Sequence, residues 1–224
     1  MNVIKALFSH RGETGNTGLK IDLIWLTLAA LLTLACAFWV DRPLARLIDR
    51  WMPPGGVVPE SIPDLLALFV AGLSGFMVLL WLWTWAGGKR HTRLGRLSPL
   101  LAIGMPVAFG LKTFTKWFFG RTETRMFLST RHSCDFCHWL HGYGPYTGFP
   151  SGHMLVMTLT LVLVCAAYPR LRPLANALLL LLAVALLLSS YHFLSDIIAG
   201  WGFGYVLARL MLRADTGLHG AITR

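Results

Sequence analysis

Charge is scarce in this chain, and acidic charge is scarcest. Ten Asp and Glu stand against 20 Lys and Arg in 224 residues, and charged residues make up only 13% of the total. A soluble domain ordinarily carries about a quarter, so an ordinary water-bathed globule is excluded. A continuous basic face is missing too. The formal net charge of +10 is dispersed in short clusters between apolar runs, which points to membrane topology and away from nucleic acid. The first twenty residues are too polar, and their apolar content too broken, for a cleavable signal peptide. No internal repeat and no low-complexity tract divides the chain.

Hydrocarbon is what the chain has in plenty, with hydrophobic residues at 55%. Several runs approach the roughly 20 residues needed to cross a bilayer. Six spans are predicted: Leu23–Val40, Leu65–Ala86, Pro99–Phe119, Met154–Tyr168, Leu174–Tyr191 and Ile197–Leu212. They must be helices, because every backbone polar group in lipid needs a partner within its own segment. The expected fold is an all-α integral membrane bundle of six transmembrane helices over residues 23–212. Segments 1–22 and 213–224 flank it, and the larger outer loops fall at about 41–63 and 120–152. The third span contains Gly104, Pro106, Gly110, Lys112 and Lys116, so its outer end cannot simply face lipid.

Orientation follows from the basic residues of the short loops. Gly88–Arg96 carries Lys89, Arg90, Arg93 and Arg96 and no acid, which assigns it to the cytoplasm. Alternation then brings both termini and the Arg170–Arg172 turn to the same side. Loop 41–63 lies outside, where Asp41, Asp49 and Glu60 offset its basic residues. In a bacterium this describes the inner membrane, with the outer loops in the periplasm. Within that loop Leu44, Leu47, Ile48 and Trp51 share one helical face, and Arg42, Arg46 and Arg50 lie mainly on the other. An interfacial helix is expected, as an anchor or as a means of admitting a lipid.

Three stretches carry polar groups at the outer ends of spans. In Lys112–Arg125, Lys112 and Lys116 are four apart and share a helical face, with Arg121 and Arg125 close behind. Such a cluster suits a phosphate, although basic side chains also snorkel to head groups. In Gly148–His153, Ser151 can cap a helix and Gly152 lets its backbone approach a ligand. Together they form an anion-attracting helix start with His153 beside it as a general acid. In Ser190–Asp196, His192 and Asp196 stand at i and i+4, so a helix would bring them face to face. A carboxylate there would steady the imidazole as a nucleophile or base, or the pair would merely satisfy each other at a helix junction. The set is sufficient for phosphoryl transfer through a phosphohistidine. It requires no metal or other cofactor, because lysine and arginine can neutralise the transferring group.

Pro150-Ser151-Gly152-His153 and the His192/Asp196 pair resemble the second and third signatures of the type 2 phosphatidic acid phosphatase superfamily of membrane lipid phosphatases. The resemblance spans about Lys112 to Asp196 and implies a six-span fold, a lipid phosphate substrate and an externally facing site. It further implies that His192 attacks phosphorus, that Asp196 orients it and that His153 protonates the leaving group. The sequence departs from the family at two points. Seven residues after Lys116 stands Glu123, followed by Thr124, where the first signature has arginine and proline. Leu186 occupies the position of the third signature's arginine. Lys116-Trp-Phe-Phe-Gly-Arg121 is similar to the family's frequent lead-in, and Arg121 or Arg125 is expected to supply the missing cation. The expected phosphate site is therefore Lys112, Lys116, Arg121, Arg125, Ser151 and Gly152.

A lipid phosphotransferase using the same residues, and a non-enzymatic lipid-binding or transport protein of the same fold, are the alternatives. The outer loop also holds His132, Cys134, Cys137, His138 and His141. Cys134–His138 fits the C-x-x-C-H pattern of haem attachment, and the cluster is also compatible with zinc, a short-range disulfide or free thiols. Cys36 and Cys165 read as packing residues within spans.

Overall fold

A computed structural model describes residues 16–51, 61–89, 92–130, 136 and 139–215, with side chains described from 19 in the first helix and from 72 in the third. Among them the chain is all-helical. Helix α1 (Asn16–Ala35) passes through one π-helical turn (Cys36–Val40) directly into α2 (Asp41–Trp51). The order continues with α3 (Ser61–Ala86), α4 (Arg93–Phe119), the short α5 (Thr124–Thr130), α6 (Gly152–Ala167), α7 (Arg172–Leu188) and α8 (Leu194–Ala214).

Four helices among the described residues are long and apolar enough to cross a membrane. They are Leu19–Trp51, Arg93–Phe119, Pro169–Leu188 and Leu194–Ala214. Gly72–Ala86 and Gly152–Ala167 are shorter apolar stretches. Each of the six expected spans thus falls on a helix, and four of them have the length and composition of a span. The 33 residues of Leu19–Trp51 extend about 50 Å at the helical rise, well beyond the roughly 30 Å of a hydrocarbon core. The expected interfacial segment is therefore helical, but it continues the first span. One of its faces covers Ala45 against Phe127 and Phe193, while Trp51 is 80% exposed.

Helix ends follow local chemistry. Thr92 caps α4 by accepting the Gly95 N–H at 3.0 Å. At the other end Gly120 adopts φ +51°, and its N–H reaches the Lys116 carbonyl at 3.1 Å. The left-handed turn is one that glycine enters without penalty. The returning loop occupies two further carbonyls of that last turn, with Leu140 N–H on Phe118 and Gly142 N–H on Trp117.

The main core lies between α4, α6 and α8, around Leu101, Met105, Leu155, Leu159, Leu163, Ala208 and Leu212. Lipid tails are as apolar as leucine, so helices in a membrane gain by close approach and dispersion rather than by escape from water. Gly200 and Gly204 provide that approach. A Cβ on Gly200 would run into the Ser151 carbonyl, and one on Gly204 into that of Leu155. The seam sets the start of α6 against the start of α8. At the other end of the bundle Asp22 of α1 accepts from Arg209, Arg213 and Tyr205 of α8.

Gly204→Val should overpack this seam, at a cost of about 1–3 kcal/mol or more, and lower the melting temperature in detergent. Gly75, whose missing Cβ faces open space, should accept alanine with little change. Equal melting temperatures for the two variants would mean that the seam does not depend on backbone contact.

Candidate active site

The three polar stretches meet at one end of the bundle. After Gly120 the chain runs extended, and the Gly148 N–H donates to the Arg121 carbonyl at 2.9 Å while Glu123 N–H donates to Pro145 at 2.8 Å. The Thr147 hydroxyl donates to Glu123 at 2.6 Å. This pairing holds the loop Pro145–Gly148 against the exit of α4. Ser151 begins α6 as its N-cap, accepting the Met154 N–H, and its own N–H donates to the Asp196 carbonyl at 3.0 Å. The start of α6 is thereby tied to the first turn of α8.

His192 lies in the turn between α7 and α8 and not on a helix, which begins only at Leu194. The expected helical i, i+4 pairing is corrected accordingly. The Nδ1 atom of His192 is 2.9 Å from the Gly148 carbonyl and 3.8 Å from Asp196 Oδ2. A carbonyl can only accept, so Nδ1 carries a proton, and in the neutral imidazole the lone pair is on Nε2. Gly148 therefore sets the tautomer. Asp196 acts mainly on the turn itself: its Oδ2 accepts the Phe193 N–H at 2.9 Å, and its Oδ1 accepts from Arg121 at 2.5 Å.

His153, in the first turn of α6, lies within electrostatic reach of His192, Lys116 and Lys112. The aliphatic stem of Lys112 crosses the space where a Cβ on Gly152 would stand, so the glycine is what admits this lysine to the helix start. Lys116 is half-buried and within reach of Lys112, Glu123 and Asp196. Two lysines and two histidines thus lie within electrostatic reach at the start of α6, with the Lys112 ammonium resting 4.3 Å over the Phe109 ring. The arrangement can hold a dianion beside the Nε2 edge of the His192 ring.

The arginines are placed differently from expectation. Arg121 is 1% exposed. Its Nη1 donates to Asp196 and to Ser195 Oγ, both at 2.5 Å, and its Nη2 donates to Asp41 at 2.7 Å. Its guanidinium is engaged with protein carboxylates and does not form part of an open phosphate pocket. Arg125 leans on the turn that carries His192, donating to the Ser189 carbonyl at 3.4 Å and lying 4.1 Å over the Tyr191 ring. Two participants went unread in the sequence, the Gly148 carbonyl and Asp41. A backbone carbonyl has no residue signature. Asp41 did offer one, as the acid standing where an apolar run ends. The cluster His132, Cys134, Cys137 and His138 lies outside the described residues. Cys36 and Cys165 are buried free thiols, as their apolar settings imply.

Removing one member of a buried ion pair strands the other, at a cost of about 3–5 kcal/mol. Arg121→Gln should therefore lower unfolding stability in detergent by roughly that amount, whereas Arg125→Gln should cost less than about 1 kcal/mol. Comparable losses for the two variants would contradict the different settings described for them.

A family model described as the PAP2 superfamily matches residues 97–218. No curated protein and no solved structure matches the chain.

Proposed function

The chain belongs to the PAP2 superfamily, and from that membership, which supports a phosphatase in general, we propose a membrane lipid-phosphate phosphatase working through a phosphohistidine on the outer side of the membrane. The observation that carries the proposal is the His192–Gly148 hydrogen bond, which in the neutral imidazole puts the nucleophilic lone pair on Nε2, beside the start of α6.

In the proposed reaction, Lys112, Lys116 and the N–H groups following Ser151 hold the phosphoryl oxygens. The Nε2 lone pair of His192 attacks phosphorus. As the P–N bond forms, the bond from phosphorus to the lipid oxygen breaks, and His153, protonated when the phosphate dianion is bound beside it, gives its proton to that oxygen. The lipid product leaves as an alcohol, or as a monophosphate if the substrate is a diphosphate. His153, now neutral, takes a proton from water as the water oxygen attacks phosphorus. The P–N bond breaks, inorganic phosphate departs, and both imidazoles return to their starting states. Asp196 holds the turn that aims His192.

A lipid substrate is supported by a groove beside the site. A furrow of about 530 Å³ runs between α1 and α8, lined by Leu26, Ala30, Leu34 and Gly202 among others, and it ends against Phe119, Phe136, Trp139 and Phe149. Its lining is almost wholly apolar, and Phe149 directly follows the glycine that holds His192. A chain lying there would bring its phosphorylated end to the start of α6. The outward orientation rests on the basic residues of 88–96, of which Arg93 and Arg96 begin α4 at the end opposite Gly120.

Wild-type protein should release phosphate from one or more of phosphatidic acid, phosphatidylglycerol phosphate, a polyprenyl diphosphate and a lipid A phosphate. His192→Ala should lose at least about 10³-fold and His153→Asn about 10²–10⁴-fold. Absence of phosphate release from all four lipids by folded wild-type protein would end the proposal. Ala30→Trp, which fills the furrow, should raise KM several-fold for a long-chain substrate and leave a short-chain analogue unaffected. An equal change for both would remove the furrow from the reading.

A further inference from the structure

The residues matched by the family model begin at 97, yet one of the groups holding the reaction centre comes from the first helix, far upstream. Asp41 is 1% exposed although the residues just before it, Phe38, Trp39 and Val40, face outward. The π-helical turn accounts for this placement. The Asp41 N–H bonds to the Cys36 carbonyl five residues back, and the extra residue in the turn shifts the register, so that Asp41 follows Cys36 and Ala37 on the inward face. Turns of this kind recur at functional sites.

Once inside, the Asp41 carboxylate has a full set of partners. Oδ1 accepts the Ser195 N–H at 3.0 Å. Oδ2 accepts from Arg121 at 2.7 Å and from the Ser195 hydroxyl. Asp41 and Asp196 together take two of the otherwise unpaired N–H groups at the start of α8, those of Ser195 and Phe193. Arg121 bridges them. One guanidinium serves two carboxyl groups, with Lys116 the further cation within electrostatic reach of Asp196, and both carboxylates stand at the first turn of a helix whose dipole favours them. The nearest imidazole is that of His192, 3.8 Å from Asp196.

We infer that Asp41 is a positioning residue for the phosphoryl-transfer reaction: through Arg121 and Ser195 it holds Asp196 and the His192 turn in attacking geometry. It touches neither phosphate nor lipid. The inference rests on the phosphatase reading above. Its consequence is that the first span belongs to the reaction centre.

The test compares purified wild type, Asp41→Asn, Asp41→Glu, Arg121→Gln, Ser195→Ala and the Asp41→Asn/Arg121→Gln double variant, each checked for a cooperative melt. The assay is phosphate release from whichever lipid phosphate the wild type hydrolyses. Asp41→Asn keeps shape and acceptor capacity but removes the charge, so kcat should fall at least tenfold with KM within twofold of wild type. Asp41→Glu should recover part of the loss. The double variant should be no slower than the slower single one, because both changes break one network. Should Asp41→Asn fail to fold, Ser195→Ala removes the link but neither charge, and should lower kcat about fivefold at unchanged KM. The inference is overturned by a folded Asp41→Asn, or failing that a folded Ser195→Ala, with wild-type kcat. It is equally overturned by a variant whose loss lies in KM, or by multiplicative losses in the double variant. A wild type that hydrolyses none of the lipids sinks the phosphatase reading itself, a distinct result.

Discussion

A guanidinium out of contact with water is stable only where its charge and its donors are matched on every side. Arg121 meets that requirement between Asp41, Asp196 and Ser195, and the rest of the active end is arranged around it. Its side chain joins the end of the first span to the start of the last. Its backbone carbonyl takes the Gly148 N–H, and the Gly148 carbonyl in turn holds His192. One residue therefore governs both the carboxylate beneath the histidine and the loop above it. Any displacement of Arg121 is felt at Nδ1 of His192 from two directions.

Around this buried hub the cations divide by environment. The stem of Lys112 packs against Gly152 at the start of α6 while its ammonium lies over the Phe109 ring, and Lys116 stands one turn further along α4 within electrostatic reach of His153, both as flexible point charges. Arg121 has exchanged that freedom for fixed geometry. The small residues of α8 make the division possible. Gly200 lets the Ser151 backbone settle on α8, so the start of α6 and the His192 turn rest on the same helix.

Much of this was legible in the sequence. The family was readable from Pro150–His153 and from the spacing of His192 and Asp196, because those contacts are local or follow from adjacent helix ends. Helices underlie all six apolar runs, since burial in lipid leaves the backbone no other choice. Helix limits differed where local chemistry prevailed over composition. Arg93–Ser98 is helical ahead of the expected start because Thr92 caps it, and Pro99 sits within the helix. Roles that depend on distant contacts were not legible. Spacing cannot distinguish an arginine facing a pocket from one enclosed by carboxylates, so Arg121 read as a phosphate ligand. Asp41 read as a charge setting topology, because nothing in the chain before Val40 reveals a π turn that will rotate it inward.

The continuity of the first helix with the active end bears on what counts as a unit in this protein. The stretch recognisable by family, 97–218, contains both histidines and the lysines and would pass for a self-sufficient catalytic module. Excised, it would leave the Nη2 of Arg121 and the Ser195 amide opening onto a void where Asp41 had been. Recognisable ancestry and physical autonomy thus have different boundaries here, and the folding unit is the larger of the two.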